Sequence, residues 1–160
     1  MLQHRYSKKD IKYMQLCKYA ADLFSTCAKR KYAAVLIDSK NHVVGMGYNG
    51  GPSGFDHCED GGCPRYLENS SPGSSYDNCI SIHAEQNALL HCDYSLKPLK
   101  LYVNGPPCFT CAKLIANSTV EKVFYLDDQS YSYDNWNEVQ SFLNKANVET
   151  VKVDIWQQAN

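Results

Sequence analysis

No stretch of this 160-residue chain approaches the roughly 18 consecutive apolar residues that a membrane-spanning helix needs. The opening residues, MLQHRYSKKD, carry no apolar core of the kind that directs secretion. Charge of one sign is not in excess either: 16 Lys and Arg face 17 Asp and Glu, for a formal net charge of −1. That balance argues against a broad basic surface for nucleic acid or anionic membrane, so any anionic ligand must be met by a local cluster. Internal repeats are absent, and a hydrophobic content of 44% is enough for one core, so a single domain over residues 1–160 is expected. The expected location is the cytoplasm, the host's if the chain is phage-encoded. Thiols stay reduced there, which turns eight cysteines into metal ligands or free thiols rather than a disulfide framework.

What is present alternates. Ser7 to Thr26 reads as a helix, with Ser7 and Asp10 resembling a capping box and Ile11, Met14, Cys17, Ala21 and Phe24 recurring on one face. AAVLID from Ala33 and HVVGMGY from His42 read as two strands joined by a short polar turn, hence antiparallel. Residues 49–78 are rich in Gly, Ser, Pro and Asp with little periodicity and read as a long irregular segment. Beyond it come a helix over Ile82–His91, a strand over Lys100–Val103 and a helix over Cys108–Asn117. A strand over Lys122–Leu126, a helix over Trp136–Ala146 and a strand over Val148–Val153 complete the reading. Strands alternating with helices predict parallel pairing in this half, with helices packed on the sheet. Trp136 and Trp156 are expected to pack the last helix and the tail, and Cys17 and Cys92 to be core thiols.

Two motifs carry chemistry. SIHAEQNALLH places His83 and Glu85 two apart at a helix start; GPPCFTC places Cys108 and Cys111 three apart at the start of the next helix. One imidazole and two thiolates make three of the four ligands of a tetrahedral zinc, and an open fourth position is the mark of a catalytic rather than a structural site. Glu85, two residues beyond the histidine, can face that open position without binding metal and move protons.

H-x-E followed by P-C-x-x-C is similar to the signature of the zinc nucleobase deaminases, the matching residues being His83, Glu85, Pro107, Cys108 and Cys111. The likeness runs from about Ser25 to Leu126 through STCAKRKYAAVLID, GYNGGPSGFDHC, GCPR, CISIHAEQNALL and LYVNGPPCFTCAKLIANSTVEKVFY. On these stretches the chain resembles the deoxycytidylate deaminases and the ComE-type proteins of the cytidine/deoxycytidylate deaminase superfamily. It departs from the pattern at Ala33, where the branch commonly has glycine, and at Asn117–Thr119, which replaces a Ser-Gly turn.

The resemblance implies a three-layer α/β/α sandwich around a five-stranded mixed sheet, and hydrolysis of dCMP to dUMP and ammonia. It implies that Asn49 contacts the nucleoside, that Ala84 offers a backbone group near the base, and that Tyr125, or Tyr131 and Tyr133, stand on the phosphate side. Arg30, Lys31, Lys40 and Arg65 are further candidates for a phosphate, which needs charged partners once out of water. The GYNG region, with Gly47, Tyr48 and Gly50, matches the place where family members bind effectors, dCTP activating and dTTP inhibiting across a hexamer.

Cys27, Cys58, Cys63 and Cys79, with His57 as a substitute, offer ligands for a second, structural zinc that would pin the irregular segment. Other zinc deaminases of the same fold, acting on a nucleoside, a modified pyrimidine nucleotide or tRNA adenosine, and a non-catalytic zinc module are the competing readings. The near-neutral charge disfavours the tRNA partner.

Overall fold

The computed structural model describes residues 5–71, 78–127 and 135–156. Helix α1, Lys8–Phe24, begins where the capping box places it: the Ser7 N–H donates to Asp10 Oδ2 at 2.7 Å, and the Asp10 N–H donates back to Ser7 Oγ at 3.3 Å. Its inner stripe is Ile11, Met14, Cys17, Ala20 and Ala21. Phe24 was expected on that stripe but is half exposed, its ring stacked on Tyr48 at 5.7 Å between centroids.

The strands are β1, Ala33–Ile37; β2, Val43–Tyr48; β3, Leu99–Val103; β4, Val120–Leu126; and β5, Glu149–Val153. They lie in the order β2-β1-β3-β4-β5. The hairpin β1–β2 is antiparallel as expected, its turn tied by Asp38 Oδ1, which accepts the N–H groups of Lys40 and His42. β3, β4 and β5 are parallel, and β1 meets β3 antiparallel, so the sheet is mixed.

Strand alternation sorts the core into two layers. Ala33, Val35, Ile37, Tyr102, Phe124, Val151 and Val153 face α1. Ala34, Leu36, Leu101, Val103, Val123 and Tyr125 face the other way, onto α3 (Ala84–Leu90), α4 (Phe109–Ala116) and α5 (Trp136–Lys145). Each fully buried Val or Leu contributes about 1.5–3 kcal/mol of transfer free energy, so both layers hold the sheet. The result is the three-layer α/β/α sandwich.

Three further expectations are corrected. Residues 49–78 are not wholly irregular: a 3-10 turn covers Cys58–Asp60 and a short helix, α2, covers Pro64–Leu67. Gly61 sits at φ +94, and a Cβ on Gly62 would meet Asp56 O at 1.9 Å, so the CEDGGC turn needs both glycines. The helix expected from Ile82 starts at Ala84; Ile82 forms a bridge with Gly50 instead. Trp136 packs against the core, but Trp156 is 77% exposed and packs no tail. Among the described residues, no helix is long and apolar enough to cross a membrane.

Candidate active site

Parallel strands direct their connections to one edge of the sheet, and ligands in such folds gather at the carboxyl ends of the strands. β3 ends at Val103 and leads through Gly105–Pro107 into Cys108, the N-cap of α4. β2 ends at Tyr48, and Gly50 beyond it exchanges two backbone hydrogen bonds with Ile82, at 2.8 and 3.3 Å, directly before His83. His83 is the N-cap of α3, its N–H held by Gln86 Oε1 at 2.9 Å. The two helix starts are thereby brought together across 25 residues of sequence.

His83 Nδ1 lies 3.5 Å from Cys108 Sγ and 3.4 Å from Cys111 Sγ. With Zn–S near 2.3 Å and Zn–N near 2.0–2.1 Å, a tetrahedron has N···S edges of about 3.6 Å, so these three atoms fit a zinc ion. Among the described residues this is the one group of three or more His, Cys, Asp or Glu ligand atoms within 4.8 Å of one another. The Cys111 thiol hydrogen-bonds to Cys108, and with the His83 contact this outweighs burial and brings the Cys108 thiol down to about 4. The Cys111 thiol is pushed up by the same hydrogen bond and by burial. One negative charge is thus already stabilised where a metal would sit. The hydrogen bond to Cys108 also raises the His83 imidazole, against burial.

Glu85 is 6% exposed on α3. Burial raises its carboxyl above the ordinary carboxylate range, its own backbone N–H opposing, and its side chain hydrogen-bonds to Cys111. A buried acid in contact with a ligand sulfur is placed for proton transfer beside the metal position.

The structure treats the other expected residues unequally. Asn49 is buried: Oδ1 accepts the Tyr32 N–H at 2.9 Å and the Ser25 hydroxyl, and Nδ2 donates to Arg30 O at 2.9 Å. Ala84 is fully buried at the first turn of α3. Tyr125 is a core residue whose hydroxyl accepts from Trp136 Nε1 at 3.3 Å, with the rings edge to face at 4.8 Å. Tyr131 and Tyr133 lie outside the described residues.

Arg30 is next to the Asn49 amide and reaches the Tyr32 hydroxyl at 3.4 Å. Lys31 Nζ donates to Asp22 O at 3.4 Å. Lys40 sits in the β1–β2 turn at the opposite end of β1 from Ala33, away from this edge. Arg65 is buried in α2 and donates to Ser71 O at 3.3 Å. A Cβ on Gly47 would lie 2.3 Å from Ala84 O, and the Gly50 N–H is committed to Ile82, so both glycines serve the seating of α3. Tyr48 stacks on Phe24 and accepts from Asn87 Nδ2 at 2.9 Å.

Of the four cysteines expected to hold a second zinc, Cys58 and Cys63 share a hydrogen bond. Burial, with Cys27 nearby, pushes Cys58 up to about 11. Burial would raise Cys63 too, but the N–H groups of Tyr66, Arg65 and Ile80 on its sulfur and the hydrogen bond from Cys58 lower it. Cys79 precedes Ile80 in the chain. These sulfurs and the exposed His57 do not close to the spacing of the His83 group. Residues that sequence reading missed are Asn104, Tyr32, Ser25 and Gln86, which hold the ligand-bearing segments. Asn104, standing at a strand end before Gly-Pro-Pro-Cys, was the one available signal.

Fold and site together define an α/β domain built to hold zinc beside a buried acid. The family model of the cytidine and deoxycytidylate deaminase zinc-binding region matches residues 7–127, and the chain belongs to that family. It is 43% identical over 112 residues to the deoxycytidylate deaminase of Mycobacterium phage D29, covering 66% of this chain and 85% of that protein. To the deoxycytidylate deaminase of Schizosaccharomyces pombe it is 37% identical over 142 residues, covering 88% of this chain but spanning only 42% of that protein's length. The crystal structure of the dCMP deaminase of cyanophage S-TIM5 in complex with dCMP and dUMP superimposes with a TM-score of 0.67 at 27% identity, covering 92% of this chain and 100% of that one.

Proposed function

We propose that the chain hydrolyses dCMP to dUMP and ammonia with zinc held by His83, Cys108 and Cys111. The observation that carries the reading is the convergence of His83 Nδ1 and two sulfurs within 3.5 Å, with Glu85 buried in contact with Cys111. Zinc supplies the Lewis acidity that makes water a nucleophile at neutral pH. Glu85 would take one proton from the attacking water and pass it to ring N3 as the C4–O bond forms, then take the remaining proton from the new C4 hydroxyl and pass it to the amine as the C4–N bond breaks and ammonia leaves. Its raised proton affinity suits both directions. The relatives named deoxycytidylate deaminase and the dCMP-bound structure support dCMP over a free nucleoside or tRNA adenosine.

On the same reading, one Asn49 N–H beyond those bonded to the protein is offered to the nucleoside, and the Ala84 backbone faces the base. Arg30 supplies charge for the phosphate, and Tyr125 or Tyr131 stands on its side of the cleft. The GYNG region is the place to seek dCTP activation and dTTP inhibition in a homo-oligomer, a hexamer by resemblance, working in the cytoplasm. Cys58 and Cys63, with Cys27 and Cys79, are the ligands for a second zinc; the N–H groups gathered on Cys63 favour its thiolate.

Ammonia release from dCMP, with and without chelator, tests substrate and metal together. Turnover of dCMP that chelator abolishes and zinc restores is expected; the reading fails if deoxycytidine, dCTP or 5-methyl-dCMP is turned over in preference. Effector control fails if activity is flat in both triphosphates.

A further inference from the structure

The strand pairings on either side of β1 stop one step short of where their registers point. The last β1–β3 pair is Ala34 with Val103, so Ala33 and Asn104 come next. The last β1–β2 pair is Ala33 with Tyr48, so Tyr32 and Asn49 come next. In both, a side-chain amide oxygen accepts where a backbone carbonyl would, while on the β2 side the Asn49 N–H still donates to Tyr32 O at 3.1 Å. The Ala33 N–H donates to Asn104 Oδ1 at 2.8 Å, and Asn104 Nδ2 donates to Lys31 O at 3.0 Å. On the other side, the Tyr32 N–H donates to Asn49 Oδ1 and Asn49 Nδ2 donates to Arg30 O, both at 2.9 Å.

The β1–β3 end is held open by a third group. The Cys17 thiol donates to Ala33 O at 3.0 Å, and the backbone N–H of Asn104 reaches the Cys17 sulfur. The main chain of Asn104 can therefore leave the ladder and turn into Gly105–Pro107 without orphaning a buried peptide group. Tyr32 fills the space made, its ring packed where a Cβ on Gly105 would meet Cε1 at 2.7 Å.

Each amide stands at the root of one ligand arm. Asn104 is four residues before Cys108, and Asn49 precedes Gly50, which is bridged to Ile82 and so to His83. Together they grip residues 30–33 in alternation, Asn104 holding Lys31 and Ala33 and Asn49 holding Arg30 and Tyr32.

We propose that Asn104 is a positioning residue for the metal centre: with Asn49 it clamps residues 30–33 from both sides and so sets the separation of the Cys108 arm from the His83 arm. The proposal rests on reading His83, Cys108 and Cys111 as zinc ligands of a deaminase. A group that orients ligands from behind changes metal affinity by about 10–100-fold when removed.

The test uses the zinc-loaded full chain, with Asn104→Ala and Asn104→Asp. The Asp variant keeps the acceptor for Ala33 but sets an oxygen against Lys31 O. Zinc affinity by chelator competition and the visible spectrum of the cobalt(II)-loaded protein are read well below the melting temperature. Val151→Ala, which thins the α1-side core of β5, is the matched control for lost stability. Expected are a zinc affinity weakened about 10–100-fold and an altered cobalt spectrum in both Asn104 variants, with Val151→Ala like wild type. With dCMP, kcat should fall while KM stays within about twofold. Asn104 variants that shift zinc affinity and the cobalt spectrum no more than Val151→Ala overturn the proposal. Affinity and spectrum need no substrate, so a wild-type chain that holds zinc but leaves dCMP untouched would sink the deaminase reading separately.

Discussion

His83 Nδ1 and Cys111 Sγ stand 3.4 Å apart although 28 residues separate them, because two helix starts meet at one edge of the sheet. Zinc that bridges them links α3 to α4 and should add to stability by mass action. Dialysis against a strong chelator is therefore expected to lower the melting temperature and abolish ammonia release, with both restored by zinc. Cys108→Ala should show the same loss of activity with no restoration. A melting temperature indifferent to chelator would mean that the three groups do not hold metal.

Glu85→Gln separates chemistry from architecture. The amide fills the same volume, so zinc content should be unchanged while kcat falls about 10²–10⁴-fold, the usual contribution of a general acid or base. Burial raises the Glu85 carboxyl in the folded chain, which means that its charged form opposes folding at neutral pH. In the zinc-free protein the variant should melt at or above the wild-type temperature. Equal kcat in the two proteins would remove the proton shuttle from the mechanism.

The edge-to-core pair Tyr102–Asp10 makes stability depend on acid. The Tyr102 hydroxyl donates to Asp10 Oδ1 at 2.6 Å, and Ser7 donates to the other oxygen. Burial works to raise this carboxyl, but the hydrogen bonds from Ser7 and Tyr102 outweigh it and hold it below the ordinary value of 3.8. A depressed carboxylate contributes stability that is present above its unfolded pKa and lost as pH falls through the folded one. Urea denaturation should show wild-type stability falling below about pH 4 more steeply than that of Asp10→Asn. At pH 7, Asp10→Asn should cost about 1–2 kcal/mol, allowing for partial solvent screening.

Metal content decides the role of the remaining thiols. About two zinc per chain are expected after gentle purification, and about one in Cys58→Ala/Cys63→Ala, with dCMP turnover retained at low temperature. One zinc in the wild type would leave Cys58 and Cys63 as a buried hydrogen-bonded thiol pair.

The sequence disclosed most where periodicity or spacing speaks locally. Ile11, Met14 and Cys17 announced α1, the apolar run at Ala33 announced β1, and H-x-E with P-C-x-x-C announced the cluster of His83, Cys108 and Cys111 that could hold a metal. It disclosed least where distant groups decide. Nothing local says that Ala34 pairs with Val103 antiparallel, since that register is set by how both layers pack. Pro64 at the first position of α2 was a readable helix signal that the surrounding Gly and Asp masked. Phe24 follows the α1 stripe in sequence, yet at the last turn of the helix it is half exposed and its partner is Tyr48 at the end of β2. The resemblance pointed to Asn49 as a contact for the nucleoside; that its amide bonds to Ser25, Arg30 and Tyr32 depends on contacts only the fold creates.

Gly47 tests whether the seat of α3 governs catalysis. A Cβ there would lie 2.3 Å from both Ala84 O and Ala88 N, and 2.8 Å from Asn87 Cβ. Two of these are backbone atoms of the helix that carries Glu85 and follows His83, so they can yield only if the whole helix moves. Overpacking of this kind costs about 1–3 kcal/mol. A shift of about 1 Å in a catalytic group can lower turnover about 10²-fold. At Gly51 the added Cβ would meet only the end of the Ile80 side chain, at 3.1 Å, which can rotate away. Gly47→Ala should therefore lower both melting temperature and kcat, while Gly51→Ala should change the melting temperature little. If Gly47→Ala keeps full kcat despite a lower melting temperature, α3 tolerates displacement and the close approach at Gly47 serves packing alone.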